Sequence, residues 1–360
     1  MTITADIAHL RLSNQLVASP SSGSPGDVVG WLGAVQAQDY LGALWAIGLR
    51  LQNAVEADVE QALADRSIVR TWPLRGTLHF VAAADVRWML DLIGPRMIAR
   101  SAGRFRELEL DAATFARARE LFSNALQGGR QLTRDAMYQV LESAGISTAG
   151  QRGIWILGRL AQEGLICFGA REGKQHTFVL LEEWVPQAKT MERDQALAEL
   201  ARRYFTSHGP AALPDFVWWS GLATSEARAA LEIARPYLLQ EVITGETYWF
   251  PSSIPAASDG SPTAYLLPAF DEYLVGYKDR RAVLDPRYVK LTNAGGGMLN
   301  PTIVIDGQVR GAWKRTLKKG AVVITPGWFA KLNKADMSAF NMSALRYGEF
   351  LGLPVLLIQV

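Results

Sequence analysis

The chain has 360 residues, of which 49% are hydrophobic and 20% are charged, and its mean hydropathy is +0.05. This composition excludes a disordered or fibrous protein and fits one large or two to three small globular domains. No apolar run reaches the roughly 18 residues of a membrane span, and the first residues lack a signal-peptide pattern, so we expect a cytoplasmic protein without a membrane partner. The single cysteine, Cys167, can form neither an internal disulfide nor a thiolate metal site.

The net charge of +2 is small, but basic residues are concentrated in two windows. Residues 66–106 hold eight arginines and only two acidic residues, and residues 308–319 hold five basic residues and no acidic one. Such clusters are typical of a phosphate-binding face, because each neutralised phosphate releases condensed counterions. They also occur on the solvated surfaces of ordinary enzymes, so charge alone leaves both interpretations open.

Residues 1–110 are predicted to form a first unit of helices followed by a strand pair. The elements, in chain order, are the helices VVGWLGAVQAQ, LGALWAIGLRL and ADVEQALADR and the strand pair IVRTWPLRGTLHFV. The strand pair turns at residues 73–76, inside the arginine-rich window.

Residues 111–186 show the clearest pattern, with apolar residues at helical spacing in three helices and then two apolar strands around a polar tip at residues 170–174. Three helices and a hairpin over about 70 residues is the order of a winged helix-turn-helix. Residues 187–252 repeat this order, with a hairpin turn at residues 244–245. Identity between the copies is too low to prove a duplication.

From residue 253 the composition changes. The stretch PSSIPAASDGSP predicts a linker, and β-rich runs follow it, with Asp306-Gly307 as a two-residue hairpin turn. One helix is predicted at about residues 334–351. Residues 253–360 are therefore predicted to form a small β-barrel with one helix, and the whole fold is predicted to be α+β, with three tandem winged-helix units before the barrel.

Few residues offer metal or nucleophilic chemistry. The four histidines lie far apart, no HExxH or CxxC motif occurs, and no G-x-S-x-G elbow nominates a serine, although a Ser-His-Asp triad stays open. Residues 295–297 are three glycines without the Lys-Ser/Thr ending of a phosphate-binding loop, and we interpret them as a flexible loop. We expect no metal and no cofactor.

Gln36 and Gln38 stand out within the segment AVQAQDY. Side chains at i and i+2 do not share a helix face, so both reach one site only if the predicted helix ends there and the chain turns. A neutral amide cannot act as a general base, but it can hold a water or a substrate through its paired donor and acceptor. The alternative is a polar helix end with two solvated glutamines, which the residues alone favour.

Four motifs occur in order along nearly the whole chain: VQAQDYLGALWAIGLRL, TWPLRGTLHFV, LLPAFDEYLVGYKDR and NPTIVIDGQVRGAWKR. Together they resemble the AlkZ-like DNA glycosylases, the winged-helix family named for an azinomycin-resistance enzyme. The resemblance implies three tandem winged-helix units and a C-terminal β-barrel around a DNA-binding channel. It also implies a monomeric, monofunctional glycosylase that hydrolyses the N-glycosidic bond of N7-alkylated purines in double-stranded DNA and, in some members, unhooks interstrand crosslinks.

The family's catalytic Gln-hydrophobic-Gln motif maps onto Gln36, Ala37 and Gln38, so the resemblance implies that both glutamines are catalytic. A sister branch carries Asp at the third position, where this chain has Gln. Asp39 follows directly, and it either points into the site or caps the next helix, of which we favour the cap. An N7-alkylated purine bears a positive charge and leaves readily, so two neutral amides that place a water under C1′ suffice as catalysts.

Basic residues in both windows and on the second hairpin are the candidates for DNA phosphate contact, although a solvated or snorkelling side chain competes with that role at each position. They are Arg70, Arg75, Arg96, Arg100, Arg104, Lys174, Lys314 and Arg315. The acidic and basic residues of segment 270–280 are interpreted first as a structural polar network between the barrel and the helical units, with a role in positioning DNA as the alternative. Trp31, Trp45 and Trp72 are interpreted as core residues.

The alternative function is a non-catalytic winged-helix DNA-binding protein or transcriptional regulator, and a third is a protein-interaction module. A regulator needs a recognition helix with base-reading side chains, whereas the third helix of the second unit offers chiefly Gln151, Arg152 and Arg159. These residues favour contact with the DNA backbone over sequence reading.

Overall fold

The computed structural model describes residues 7–252, 263–295 and 297–358. Most of the predicted linker, residues 253–262, and Gly296 lie outside the described residues. Among the residues described, no helix combines the length and the apolar character needed to cross a membrane.

The first segment consists of α1 (Ile7–Asn14), α2 (Pro25–Leu32), β1 (Val35–Gln36), α3 (Tyr40–Gly48), α4 (Glu56–Ala64), β2 (Ile68–Leu74) and β3 (Thr77–Ala82). The hairpin turns at Arg75 and Gly76, as predicted, and both residues have positive φ, which matches the strand twist in a two-residue turn. The predicted helix through Gln38 is wrong in its second half. Helix α2 ends at Gly33, whose φ of 81° leaves the helical region, and Val35 and Gln36 pair with β3 instead.

The next elements are α5 (Val86–Arg100), α6 (Ala102–Glu107), α7 (Ala112–Leu126), β4 (Leu132–Thr133), α8 (Arg134–Ser143), α9 (Arg152–Gln162), β5 (Ile166–Phe168) and β6 (Thr177–Leu180). A further segment follows with α10 (Leu181–Trp184), α11 (Arg193–His208), β7 (Ala211–Ala212), α12 (Leu213–Ser220), α13 (Thr224–Ala234), β8 (Leu238–Ile243) and β9 (Glu246–Pro251). Short 3₁₀ helices occupy Ala83–Asp85, Arg235–Tyr237 and Pro286–Thr292.

Three stretches of the chain therefore share one order of elements: a helix, a short strand, two helices and a hairpin. In each case the short strand pairs with the second hairpin strand, which gives the sheet orders β1-β3-β2, β4-β6-β5 and β7-β9-β8. The repeated connectivity places β1, which carries Gln36, at an edge of the first sheet.

The C-terminal elements are β10 (Ala264–Leu267), α14 (Glu272–Val275), β11 (Asn293–Gly295), β12 (Met298–Leu299), β13 (Thr302–Ile305), β14 (Gln308–Lys318), β15 (Ala321–Trp328), α15 (Lys334–Leu351) and β16 (Val355–Leu357). The described residues do not form the predicted barrel. Within the described residues the strands form an open sheet of order β10-β13-β14-β15-β16, and β11 pairs only with β12. Helix α15 packs against β10, β13 and β16 and so covers the sheet without the closure of a barrel.

The largest apolar core joins the first segment to the C-terminal sheet. Trp45 of α3 packs against Tyr347 and Phe350 of α15, and its indole N–H donates to the Leu266 carbonyl of β10 at 2.6 Å. Trp45 and Trp72 are buried, as predicted, whereas Trp31 is 40% exposed. A second core joins the first hairpin and α5 to the third repeated segment, so β1 lies between these two cores.

A buried ion pair fixes the loop before α14. Arg50 donates through both terminal nitrogens to the two Asp271 carboxylate oxygens, each at 2.9 Å, and both residues are almost completely buried. Removal of one partner of such a pair costs about 3–5 kcal/mol, because the other charge is left buried and uncompensated. The polar network predicted for segment 270–280 therefore exists, and it sets the position of Glu272.

Candidate active site

The structure brings Gln36 and Gln38 together. Gln36 ends strand β1, and the Ala37 N–H continues the pairing by donating to the Leu78 carbonyl at 2.7 Å, so alternate side chains project to the same side. Gln36 Nε2 donates to Gln38 Oε1 at 2.5 Å. Gln36 is buried and Gln38 is exposed. The pair therefore runs from the protein interior to the surface.

Arg75 sets the orientation of this amide pair. Its guanidinium donates to Gln36 Oε1 at 2.8 Å and to the backbone carbonyl of Trp219. Because arginine has only donors, the Gln36 atom that faces it must be the oxygen. Gln36 then presents its nitrogen to Gln38, which accepts through its oxygen, and the Gln38 NH₂ group is the donor at the exposed end. Burial lowers the pKa of Arg75, and nearby Glu272 opposes this shift.

Glu272 supports the backbone of the motif formed by Gln36, Ala37 and Gln38. Its Oε1 accepts from the Gln36 N–H at 3.0 Å, and its Oε2 accepts from the Trp219 indole at 3.0 Å and faces His208 Nε2 at 3.4 Å. Burial acts to raise the pKa of Glu272, but the hydrogen bond with His208 and the positive charge of Arg75 act against it, so the pKa is lowered and the carboxyl is ionised at neutral pH. The sequence indicated a structural role for Glu272 but not its contact with Gln36, which is 236 residues away.

Arg70, a candidate for phosphate contact, is buried with 5% of its surface exposed. Its Nε and one terminal nitrogen donate to the Ala37 carbonyl at 3.2 and 2.8 Å, and burial lowers its pKa to about 10. The structure therefore reassigns Arg70 from the DNA surface to the support of the motif. Arg70 and Glu272 together hold a carbonyl and an N–H of the same short segment.

Asp39 caps helix α3, as predicted. Its Oδ1 accepts from the Gly42 N–H at 3.2 Å, which satisfies a free donor of the first turn. Arg315 lies 4.0 Å from the same carboxylate oxygen and donates to the Tyr347 hydroxyl. Arg315 is thus half-buried between the C-terminal sheet and the residue that follows the motif.

Gln36 lines a groove of about 490 Å³, whose wall includes Arg75, Trp218 and Arg280 and the hairpin of β11 and β12. The glycines that we interpreted as a flexible loop thus belong to a hairpin on either side of Gly296. An adjoining cavity of about 870 Å³ shares Arg75 and Trp218. Its other charged lining residues are all basic: Arg96, Arg100, Arg228 and Lys278. We call the two together the basic groove.

The remaining basic candidates lie elsewhere. Arg104 pairs with Glu107 at 2.6 Å and contacts Gln151, and Lys174 lines a separate cavity beside Trp72. Lys314 is exposed on β14. The described residues contain no group of three or more His, Cys, Asp or Glu side chains that could hold a metal ion.

The profile of the family described as DNA glycosylase AlkZ-like matches residues 29–350. This chain belongs to the AlkZ-like DNA glycosylase family. Membership makes it an enzyme that acts on N-glycosyl bonds of DNA, as the resemblance implied. A relative in the family, the interstrand DNA cross-link repair glycosylase of Streptomyces sahachiroi, is 26% identical over 378 aligned positions that cover 97% of each chain. The solved structure of Streptomyces sahachiroi DNA glycosylase AlkZ has a TM-score of 0.80 at 24% identity and 98% coverage of both chains, which shows a shared α+β fold.

The neighbour of Gln36 on β3 predicts a pH dependence of stability. His79 is fully buried, its Nδ1 faces the Thr77 carbonyl at 2.9 Å, and burial together with the Arg75 charge lowers its pKa to about 3. Below about pH 6.5 the unfolded chain binds a proton here that the folded chain does not. We therefore expect His79 to reduce the free energy of unfolding by about 1.4 kcal/mol for each pH unit from about 5.5 to 3.5.

Urea unfolding at several pH values measures this contribution. The variants His79→Leu and His79→Gln differ in packing and so in absolute stability, but neither titrates, and both should lose stability less steeply with acid than the unmodified protein. An unchanged slope in both variants would show that His79 is already protonated in the fold.

Proposed function

We propose that this glycosylase hydrolyses the N-glycosidic bond of N7-alkylated purines in double-stranded DNA, with Gln36 and Gln38 as its catalytic residues. The observation that carries the proposal is the contact of 2.5 Å between the two amides, at the edge of a basic groove. Each amide oxygen accepts one hydrogen bond within the protein and keeps a second lone pair for a water. The pair can therefore orient a nucleophilic water under C1′.

The charge of the substrate explains why neutral groups suffice. Alkylation at N7 makes the purine cationic, so the glycosidic bond breaks as the base leaves neutral and the sugar becomes oxocarbenium-like. No acid has to protonate the leaving group, in contrast to ordinary glycoside hydrolysis with its pair of carboxyl groups. The ionised Glu272 under the motif supplies a negative charge that favours positive charge on the sugar.

We extend the proposal to interstrand crosslinks, the lesion for which the Streptomyces relative is named. A crosslinked base is tied to the opposite strand and cannot swing into a closed pocket. Gln38 is exposed, and the motif lies at a groove and not in an enclosed cavity. This open arrangement supports attack on a base that stays partly in the duplex.

For the architecture, we propose that the three repeated segments are winged-helix units, with units at residues 1–110, 111–186 and 187–252 and a C-terminal part at residues 253–360. The shared order of elements and the shared sheet order support this division. Gln36, Gln38, Arg75 and Glu272 come from one chain, which supports action as a monomer. Its DNA substrate supports a cytoplasmic location.

We propose that Arg96 and Arg100 contact DNA phosphates, with two further contacts: Lys278, which lies in the segment whose alternative role is the positioning of DNA, and Arg228, which the sequence did not nominate. All four line the basic groove, and Arg96 and Arg100 are exposed. Lys174 is exposed in the connection between β5 and β6, Lys314 is exposed on β14, and both are proposed as outer contacts. A regulator without catalysis is not favoured, because it leaves the buried support of the amide pair unexplained.

Loss of the amide pair should abolish most base release. A duplex with one N7-methylguanine is incubated with the protein, and alkali then reveals abasic sites. We expect Gln38→Ala to release the base about 10²- to 10³-fold more slowly, because removal of one preorganised polar group costs this much, and Gln36→Ala with Gln38→Ala to be slower still. Gln52→Ala, at an exposed glutamine outside the groove, is the matched control. Undiminished release by a folded double variant would remove both glutamines from the mechanism.

The phosphate contacts predict a salt dependence. For Arg96→Ala and Arg100→Ala, a plot of log K for duplex DNA against log salt should become shallower by about 0.9 for each phosphate that the protein no longer neutralises. Arg117→Ala serves as control, since Arg117 is exposed and pairs with Glu120 away from the groove. A slope equal to that of the unmodified protein in both groove variants would refute the assignment.

A further inference from the structure

Trp218 is an exposed aromatic side chain in the basic groove. It lies on α12, and 45% of its surface is exposed, whereas the adjacent Trp219 is fully buried. The Trp218 indole N–H donates to the Val275 carbonyl at 3.0 Å, which fixes one edge of the ring. The ring is therefore held in place by one hydrogen bond, and part of its surface stays accessible to a ligand.

The position of Trp218 links it to the amide pair. It lines both parts of the basic groove, and in both it shares the wall with Arg75, whose guanidinium holds Gln36. Phe270 and Leu299 add apolar surface to the part that contains Gln36. An aromatic face thus borders the site where the reacting sugar has to lie.

The positive charge of the groove has to be offset if a cationic base is to bind there, and Trp218 can supply the attraction. Arg75 and Arg280 line the part of the groove next to Gln36, and they repel a cationic base. The face of an indole attracts a cation through the ring quadrupole, and tryptophan is the strongest of the aromatic residues in this respect. It also stacks on any purine, because every base has a π-face.

We propose that Trp218 forms the binding subsite for the alkylated base and selects its positive charge by a cation–π interaction. This inference rests on the proposed function and adds the residue that distinguishes a cationic N7-alkylpurine from an unmodified one. Trp218 acts on binding of the base, while Gln36 and Gln38 act on the water.

The test compares two uncleavable lesions that differ in charge. One duplex carries 2′-fluoro-N7-methylguanosine, which is cationic and resists release because fluorine disfavours the oxocarbenium-like state. The other carries 7-methyl-7-deazaguanine, which has the same methyl group but no charge. The ratio of the two dissociation constants measures the preference for the charged base.

We expect the unmodified protein to prefer the cationic lesion and Trp218→Leu to reduce this preference by about 5- to 30-fold. Trp218→Phe should fall between them, because phenylalanine retains a weaker π-face. Trp31→Leu is the matched control, since Trp31 is 40% exposed, also donates its indole N–H to a backbone carbonyl, and lies outside the groove lining. An unchanged preference in folded Trp218→Leu, or in Trp218→Phe if the leucine variant does not fold, overturns the proposal.

Base release from N7-methylguanine DNA is measured in parallel on the unmodified protein. If the unmodified protein releases the base while the folded Trp218 variants keep its full preference for the cationic lesion, this inference fails and the proposed function stands. If it releases no base at all, the proposed function itself fails.

Discussion

Arg75 donates to the Gln36 side chain and to the Trp219 backbone, and these two bonds tie the first hairpin, the strand of the motif and helix α12 together. The turn that carries Arg75 has positive φ at two successive residues, and the guanidinium of Arg75 donates to Gln36 on the edge strand of the same sheet. Because arginine offers only donors, its contact with Gln36 fixes the amide oxygen of Gln36 towards Arg75. The amide nitrogen of Gln36 then faces Gln38, which accepts through its oxygen. The remaining support acts on the backbone, where Glu272 accepts an N–H and Arg70 donates to a carbonyl. Side chains and backbone of the motif are thus held by charged groups that are themselves largely buried.

In this arrangement the charged residue Glu272 is buried, and the exposed end of the amide pair is neutral. The buried carboxylate of Glu272 accepts from the peptide N–H of Gln36. In the proposed mechanism the neutral amides therefore meet the substrate, while a negative charge lies behind them. Such a site is suited to a substrate that brings its own positive charge, and it is a poor catalyst for an unmodified nucleotide, whose base needs a proton to leave. With the amides as the catalytic groups, as we propose, the chemical step itself favours alkylated bases, in addition to any preference in binding of the base.

Local patterns were sufficient for much of the fold. The turn at Arg75 and Gly76, the three helices and hairpin of residues 111–186 and the helix at residues 334–351 follow from periodicity and turn residues over short windows. The strand of Gln36 could not be predicted in this way, because its two residues gain their conformation from pairing with β3 more than 40 positions away. The open C-terminal sheet was missed because strand runs alone do not show that α15 covers one face. For the site, the resemblance to a family nominated the glutamines, but the burial of Arg70 and the reach of Glu272 depend on contacts between distant segments.

The most direct measurement is single-turnover release of N7-methylguanine by Arg75→Met at saturating enzyme, beside the affinity of this variant for undamaged duplex. If Arg75 orients the amide pair, the rate falls by about 10- to 100-fold while the affinity changes little, and Arg75→Lys recovers part of the rate because an ammonium group also only donates. A variant that releases the base at the normal rate, or that loses only DNA affinity, would show that the orientation of the two amides by Arg75 is not what drives the reaction.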